Sequence, residues 1–290
     1  MNILETISQE LTQISKKVNL ALECVPNLPF IESEDRFQKF YREDICTYSY
    51  WIPWTRQLGA WIDRDGFKVS VVIREDALSS DIKELMLGFA SVITGVCLNL
   101  QGKVAIHANA IELEGFACAF AGYTGMGKST LTAYCTSEGA GFINDDVLIV
   151  DEQGFVTPGN PRLKLYSHTG ESLGLDVLET TNYKNFYDMR NLGAKFNFSA
   201  SPLGIIYLLA ESKENCIYSK QVAPTQAVFE LLSHSYYAHK LIEDNPSIFD
   251  TYINLVNQVP VKRLFYPRDF QLLPQVYDFL LQEVRQYTCR

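Results

Sequence analysis

The run Gly122-Tyr123-Thr124-Gly125-Met126-Gly127-Lys128-Ser129 constrains this chain more than any other stretch. It fits the spacing GxxxxGK[ST] in full, with an apolar run, Phe116–Ala121, before it and helix-forming residues from Ser129 onward. Each fixed position has a physical reason. Glycine lets the backbone turn so that successive N–H groups point into one anion-sized nest. The following helix adds the positive end of its dipole. An ammonium at Lys128 reaches phosphate oxygens, and the Ser129 hydroxyl ligates Mg2+. The sequence therefore predicts a P-loop over Gly122–Thr130, set between a core strand and a helix and suited to ATP with Mg2+.

A second feature points to the same chemistry. Asn144-Asp145-Asp146 closes the apolar run Gly141–Asn144, 16 residues after Ser129. A short helix followed by a strand would put these carboxylates beside the P-loop, at the carboxyl end of a parallel sheet, where α/β folds bind ligands. Two adjacent carboxylates can divide their duties. One accepts the proton of an attacking hydroxyl, and the other holds the metal directly or through water. His107, at the end of the run Val104–His107, is a further candidate. Arg162 and Lys164, within Gly159–Leu165, and Arg190 and Lys195, in a polar loop, are candidate cations for charge on a transferring phosphoryl group. His168, His234 and His239 draw no role.

The rest of the chain reads as an α/β protein with a smaller α+β segment at its N-terminus. Ile3, Ile7, Leu11, Ile14 and Val18 recur at helical spacing, and a loop with Pro26 and Pro29 follows. Leu58–Ile62 and Phe67–Ile73 flank the turn Arg64-Asp65-Gly66, within an aromatic stretch that includes Tyr48, Tyr50, Trp51, Trp54 and Trp61. Those rings are expected in the core. Asp81–Leu100 reads as a long helix, with its stop at Gly102. Val104–His107, Ala110–Leu113 and Phe116–Ala121 read as separate short strands. Leu203–Leu209 and Cys216–Gln221 read as a hairpin, Thr225–Leu241 and Ile248–Val256 as helices, Val261–Tyr266 as a strand and Phe270–Tyr287 as a helix. Residues 1–78 are assigned to the N-terminal segment and 79–290 to the nucleotide domain, with a soft boundary between 75 and 100.

Composition removes several function classes. A net charge of −9 with pI near 5.0 argues against nucleic-acid or anionic-membrane partners. The seven cysteines are widely spaced without a CxxC pair, as expected of free thiols in a reducing compartment. Structural zinc would need clustered ligands. The first 20 residues lack a basic start and an apolar run, so a cytoplasmic location is expected.

The run Gly102–Asp146 resembles the catalytic domain of the HPr kinase/phosphorylase family and its HPr-kinase-like branch. The likeness is carried by His107-Ala108-Asn109, the strands between Ile111 and Ala121, GYTGMGKS and FINDD. Pro161–Leu165 and Leu264–Asp269 extend it loosely, so that it spans roughly residues 80 to 285. The resemblance implies a P-loop domain of the phosphoenolpyruvate-carboxykinase-like type and ATP-dependent phosphorylation of a serine hydroxyl. It implies Asp145 as general base, Asp146 near the metal and His107 beside the base, with the two aspartate roles open to exchange. Thr130 stands where the family has glutamate, and the EIRGxG stretch tied to phosphorylase activity is missing. Trimmed relatives of this kind include kinases that modify a serine of a precursor peptide.

The expected activity is thus a kinase acting on a Ser/Thr hydroxyl of a peptide or protein. Lys128 would neutralise phosphate, Ser129 and Asp146 would hold Mg2+, and Arg162 would steady charge. A small-molecule hydroxyl kinase and a non-catalytic nucleotide-binding module remain open, as does self-association.

Overall fold

The computed structural model describes residues 21–24, 30–31, 34–43, 47–74, 79–181, 184–192 and 199–288. The expected helix over Ile3–Val18, the loop with Pro26 and Pro29, and Lys195 lie outside the described residues. The chain forms two compact units, Met1–Gly102 with Tyr236–Ile248, and Lys103–Ser235 with Phe249–Arg290.

The first unit holds a five-stranded sheet: β1 (Ala21–Cys24), β2 (Gln38–Arg42), β3 (Thr47–Pro53), β4 (Leu58–Asp63) and β5 (Lys68–Ile73). The order is β1-β5-β4-β3-β2, with β1 parallel to β5 and the remaining pairs antiparallel. The aromatic stretch is core, as the sequence suggests. Trp51 and Trp61 bury together with Val72, and the Trp51 indole N–H donates to the Ile31 carbonyl at 2.9 Å. Tyr48 is the exception, 43% exposed.

The helix Ser79–Leu100 belongs to this first unit. Its buried residues Phe89, Ile93, Val96 and Cys97 complete the core of that unit. The Phe89 ring lies 5.7 Å from that of Trp54, and Gly95 admits Tyr236 so closely that an added Cβ would lie 2.1 Å from its ring.

The second unit is built on a mixed sheet of eight strands. β6 (Val104–Leu113) and β7 (Phe116–Ala121) form an antiparallel hairpin across Glu114-Gly115. β6 is continuous where two short runs were expected, because Asn109 is fully buried and prolongs the strand. β8 (Gly141–Asn144), β9 (Val147–Val150) and β10 (Phe155–Val156) follow, then β14 (Ser201–Glu211), β15 (Tyr218–Gln221) and β16 (Val261–Tyr266). The path runs β10-β9-β6-β7-β14-β16-β15, and β8 pairs with β6.

Two expectations are corrected by this order. β14 and β15 do not form a hairpin, because β16 lies between them, parallel to β14 and antiparallel to β15. The strand that leads to the aspartates does not neighbour β7, because β6 intervenes and pairs antiparallel with both. The helix expected over Thr225–Leu241 is two, Pro224–Ser233 and Ala238–Leu241, broken where Tyr237 takes φ 56°. The last helix begins at Leu273 after a 3-10 turn, Phe270–Leu272.

Phe120, Tyr207 and Leu264 of the sheet pack with Leu131 of the helix Lys128–Ser137 and with Val276 and Leu280 of the helix Leu273–Thr288. A separate three-stranded sheet, β11 (Arg162–Leu165), β12 (Val177–Thr180) and β13 (Asn185–Asp188), has the order β11-β13-β12. Leu163, Leu165 and Tyr187 fix one of its faces onto Ala133 and Phe142. Among the described residues no helix is long and apolar enough to cross a membrane.

Gly95→Ala tests the placement of the long helix. Alanine is the better helix former, yet its methyl meets the Tyr236 ring, so the variant should lose about 1–3 kcal/mol. All three tryptophans lie in this unit, so denaturant unfolding followed by their fluorescence reads it directly. A variant more stable than the parent would contradict the packing.

Candidate functional site

The segment Gly122–Gly127 leaves β7 and enters the helix Lys128–Ser137, the strand–loop–helix context that the sequence predicts. Gly125 and Gly127 take φ 85° and 88°, the left-handed region that favours glycine. At Gly127 space also demands glycine: an added Cβ would lie 2.6 Å from the Tyr266 hydroxyl. That hydroxyl donates to the Met126 carbonyl at 2.9 Å, so the end of β16 braces the loop from below.

Lys128 is only 6% exposed. Its ammonium donates to the Gly122 carbonyl at 2.7 Å and more weakly to that of Tyr123 at 3.5 Å. Burial pushes its pKa down, against the pull of Asp146 and Asp145. Among the described residues no carboxylate comes within ion-pair distance of it.

The aspartates interrupt a strand. β8 and β9 both pair with β6, one after the other, with Asn144 opposite Ala110 and Val147 opposite His107. Between them Asp146 takes φ 66°, and the Val147 N–H donates to the Asp145 carbonyl at 2.9 Å. This is a γ-turn of the strained kind, in the conformation non-glycine residues avoid. The Asp146 carbonyl accepts from the Ala108 N–H at 3.1 Å, and Ala108 faces Ala121 on β7. The break therefore falls level with the start of the glycine loop, although β6 separates the two strands.

The two carboxyls differ in surroundings. Asp145 Oδ2 accepts from the Lys164 N–H at 2.9 Å, while its Oδ1 is buried without a hydrogen-bond partner. Burial first, and the neighbouring Asp146 charge second, push Asp145 up to about 7. Burial works against the Asp146 charge too, but the hydrogen bond from His107 and the charge of Lys164 outweigh it. Asp146 is held well below the usual carboxylate range. His107 Nε2 lies 3.5 Å from Asp146 Oδ1, and Lys164 Nζ lies 3.5 Å from Asp146 Oδ2. The two carboxyls thus differ in proton affinity, Asp145 holding its proton to higher pH than Asp146.

The structure brings together Lys128, Asp145, Asp146 and His107. Arg162 it places farther out, with Nη1 4.0 Å from Glu179 and its guanidinium over the Phe186 ring. Arg190 pairs with Asp188 at the surface. Three residues carry no signal in the sequence. His234 is buried, stacks edge-on against Tyr123 at 4.8 Å and accepts through its carbonyl from the His107 N–H at 2.8 Å. Lys184 acts on the charges of Lys128, Asp145 and Asp146. Tyr266 props the loop.

The residues fit a bound polyphosphate. A buried ammonium bonded only to carbonyls gains from an arriving anion. An exposed loop of glycines lies above it, with no atom near an added Cβ at Gly125. Ser129 and Thr130 are half-buried at the helix start. A hydroxyl and a single carboxylate suit Mg2+, which keeps waters and shares phosphate oxygens rather than needing a full protein cage. Among the described residues no three His, Cys, Asp or Glu side chains gather as a metal cage. Two of the cavities, of about 500 and about 310 Å³, are lined by residues away from these side chains.

No family model matches the chain, and no curated protein matches it. Among solved structures the chain is similar to the Hpr(Ser) kinase/phosphatase from Coxiella burnetii, at 11% identity and a TM-score of 0.39. The match covers 63% of this chain and 91% of that one. A likeness this loose leaves the site to be read from its own geometry.

The raised pKa of Asp145 makes stability pH-dependent. The folded state binds more protons than the unfolded one between about pH 4, the ordinary aspartate value, and about 7. Stability from this group is therefore largest at the acid end of that window and falls as pH rises through it. The opposite contribution of Asp146 is confined to pH below about 4. Asp145→Asn should be more stable than the parent at pH 8, by about 1–3 kcal/mol, and should lose that advantage by pH 5. Thermal unfolding at both pH values checks it; a pH-independent difference would contradict the assignment.

Proposed function

We propose that this chain binds ATP with Mg2+ on Gly122–Thr130 and transfers the terminal phosphoryl group to a serine or threonine hydroxyl of a peptide or protein. The observation that carries the reading is the meeting of a buried Lys128, without a counter-ion among the described residues, and two carboxyls of unequal proton affinity, level with each other across the sheet. A structural loop and a strand break would need neither.

Main-chain N–H groups of the loop and the Lys128 ammonium would hold the phosphates, and Ser129 with Asp146 would hold the metal. When bound, ATP with Mg2+ supplies an activated phosphoryl group whose charge is already partly neutralised. Asp145 takes the proton of the attacking hydroxyl. Its bare Oδ1 is free to accept, and a pKa about 7 suits a base working near neutrality. This favours Asp145 over Asp146 for that role. His107 and Lys164 keep Asp146 ionised and fixed between them. The peptide or protein acceptor rests on the sequence resemblance alone; a small-molecule hydroxyl uses the same machinery.

The test is ATP turnover with Mg2+ and a pool of serine-bearing peptides, read by mass spectrometry. A phosphorylated product should form, and Asp145→Asn should slow it roughly 10²–10⁴-fold with nucleotide affinity nearly unchanged. Lys128→Ala should weaken nucleotide binding itself. Phosphorylation at the parental rate in Asp145→Asn would overturn the role of the base. Transfer to a metabolite hydroxyl but to no peptide would replace the acceptor.

A further inference from the structure

The small sheet presents a regular pattern that neither the glycine loop nor the aspartates account for. β11 and β13 pair antiparallel, with Arg162 opposite Asp188, Lys164 opposite Phe186 and Leu165 opposite Asn185. Continuing that register sets Tyr166 against Lys184. Side chains two apart share a face of a strand. Leu163 and Leu165 occupy the buried face, so Arg162 and Lys164 point the other way. On that face cations and rings alternate across the strands. Arg162 and Lys164 lie over Phe186, at 5.8 and 5.3 Å, and Lys184 lies over Tyr166 at 4.9 Å. Lys164 is the point where this face meets the aspartates, 3.5 Å from Asp146.

The three cations are differently committed. Arg162 has Glu179 as counter-ion, and Lys164 has Asp146. Lys184 has a ring but no carboxylate within ion-pair distance among the described residues. It is not a loose surface group. Its N–H donates to the Thr181 hydroxyl at 3.3 Å and its carbonyl accepts from that hydroxyl at 2.6 Å, which ties its backbone to Thr181. Through Tyr166 it shares a sheet face with Lys164, which lies 3.5 Å from Asp146, and its charge bears on Lys128 and both aspartates.

We propose that Lys184, with Lys164 beside it, forms a second cationic wall that binds the phosphate chain opposite Lys128, the role that the sequence assigned to Arg162. The Tyr166 ring holds the Lys184 ammonium in place without neutralising it, which leaves its charge available to an anion, while Lys164 is shared with Asp146. This inference rests on the phosphate-site reading of the glycine loop, but not on the identity of the acceptor.

The probe is inorganic tripolyphosphate with Mg2+, titrated calorimetrically into the full chain. Lys184→Met should weaken binding about fivefold or more, and Lys184→Arg should restore most of it. Lys164→Met should weaken it as well, with a contribution from the Asp146 charge that Lys164 no longer offsets. Arg162→Met should leave it nearly unchanged. Circular dichroism and the unfolding midpoint of Lys184→Met should match the parent, since Lys184 closes no ion pair among the described residues. Parental affinity in Lys184→Met, with binding lost in Lys128→Ala, would overturn the second wall and leave the loop reading intact. A parent protein that binds no tripolyphosphate would overturn both.

Discussion

The geometry of the whole site depends on one break in one strand. β8 and β9 could have run on as a single partner for β6. Instead Asp146 adopts a left-handed γ-turn between them, and both carboxyls leave the ladder. Such a turn costs on the order of 1–3 kcal/mol and persists only where its surroundings fix it. Here the Ala108 N–H, the Lys164 N–H and the His107 ring supply that support, and Asn109 Oδ1 lies 3.5 Å from the Asp146 N–H. Without the break, these two positions would lie on opposite faces of β6's neighbour, and no pair would form.

What the break achieves chemically follows from burial and charge. Two adjacent carboxyls in a low-dielectric setting do not both ionise near neutrality unless cations are shared evenly between them. They are not shared evenly here. Asp146 receives His107 and the Lys164 ammonium, while Asp145 receives a main-chain N–H and keeps one oxygen bare. Lys128 on the other side is a buried cation whose partners among the described residues are the Gly122 and Tyr123 carbonyls. Each half of the site is thus incomplete in a complementary way: one lacks an anion, the other holds a proton acceptor in reserve.

The local parts of this arrangement were legible in the sequence. The strand, the glycine loop and the helix are consecutive, and the loop glycines are demanded by φ and by the room that Tyr266 takes. The aspartates stood out because they end an apolar run. The parts decided by non-local pairing were not legible. Nothing in the sequence says that β6 would slip between β7 and β8, or that β16 would split β14 from β15. Arg162 and Lys164 sit two apart on the same face, so pattern alone offers both. The register of β11 against β13 gives Arg162 to Glu179 and Lys164 to Asp146. His234 and Lys184 reach the site from distant segments, and no spacing rule connects either to the loop. The long helix was legible from its periodicity, but not what it packs against, because an apolar face does not name its partner.

If the glycine loop and the aspartate pair form one site, an anion on the loop must be felt by Asp145. Carboxyl-carbon NMR of aspartate-labelled protein reads this, with the Asp145→Asn variant supplying the assignment. One carboxyl should titrate near neutrality, and at higher pH still when tripolyphosphate occupies the loop, because the added anion opposes ionisation nearby. An Asp145 that titrates as an ordinary aspartate near pH 4, or one indifferent to an anion bound through Lys128, would contradict it.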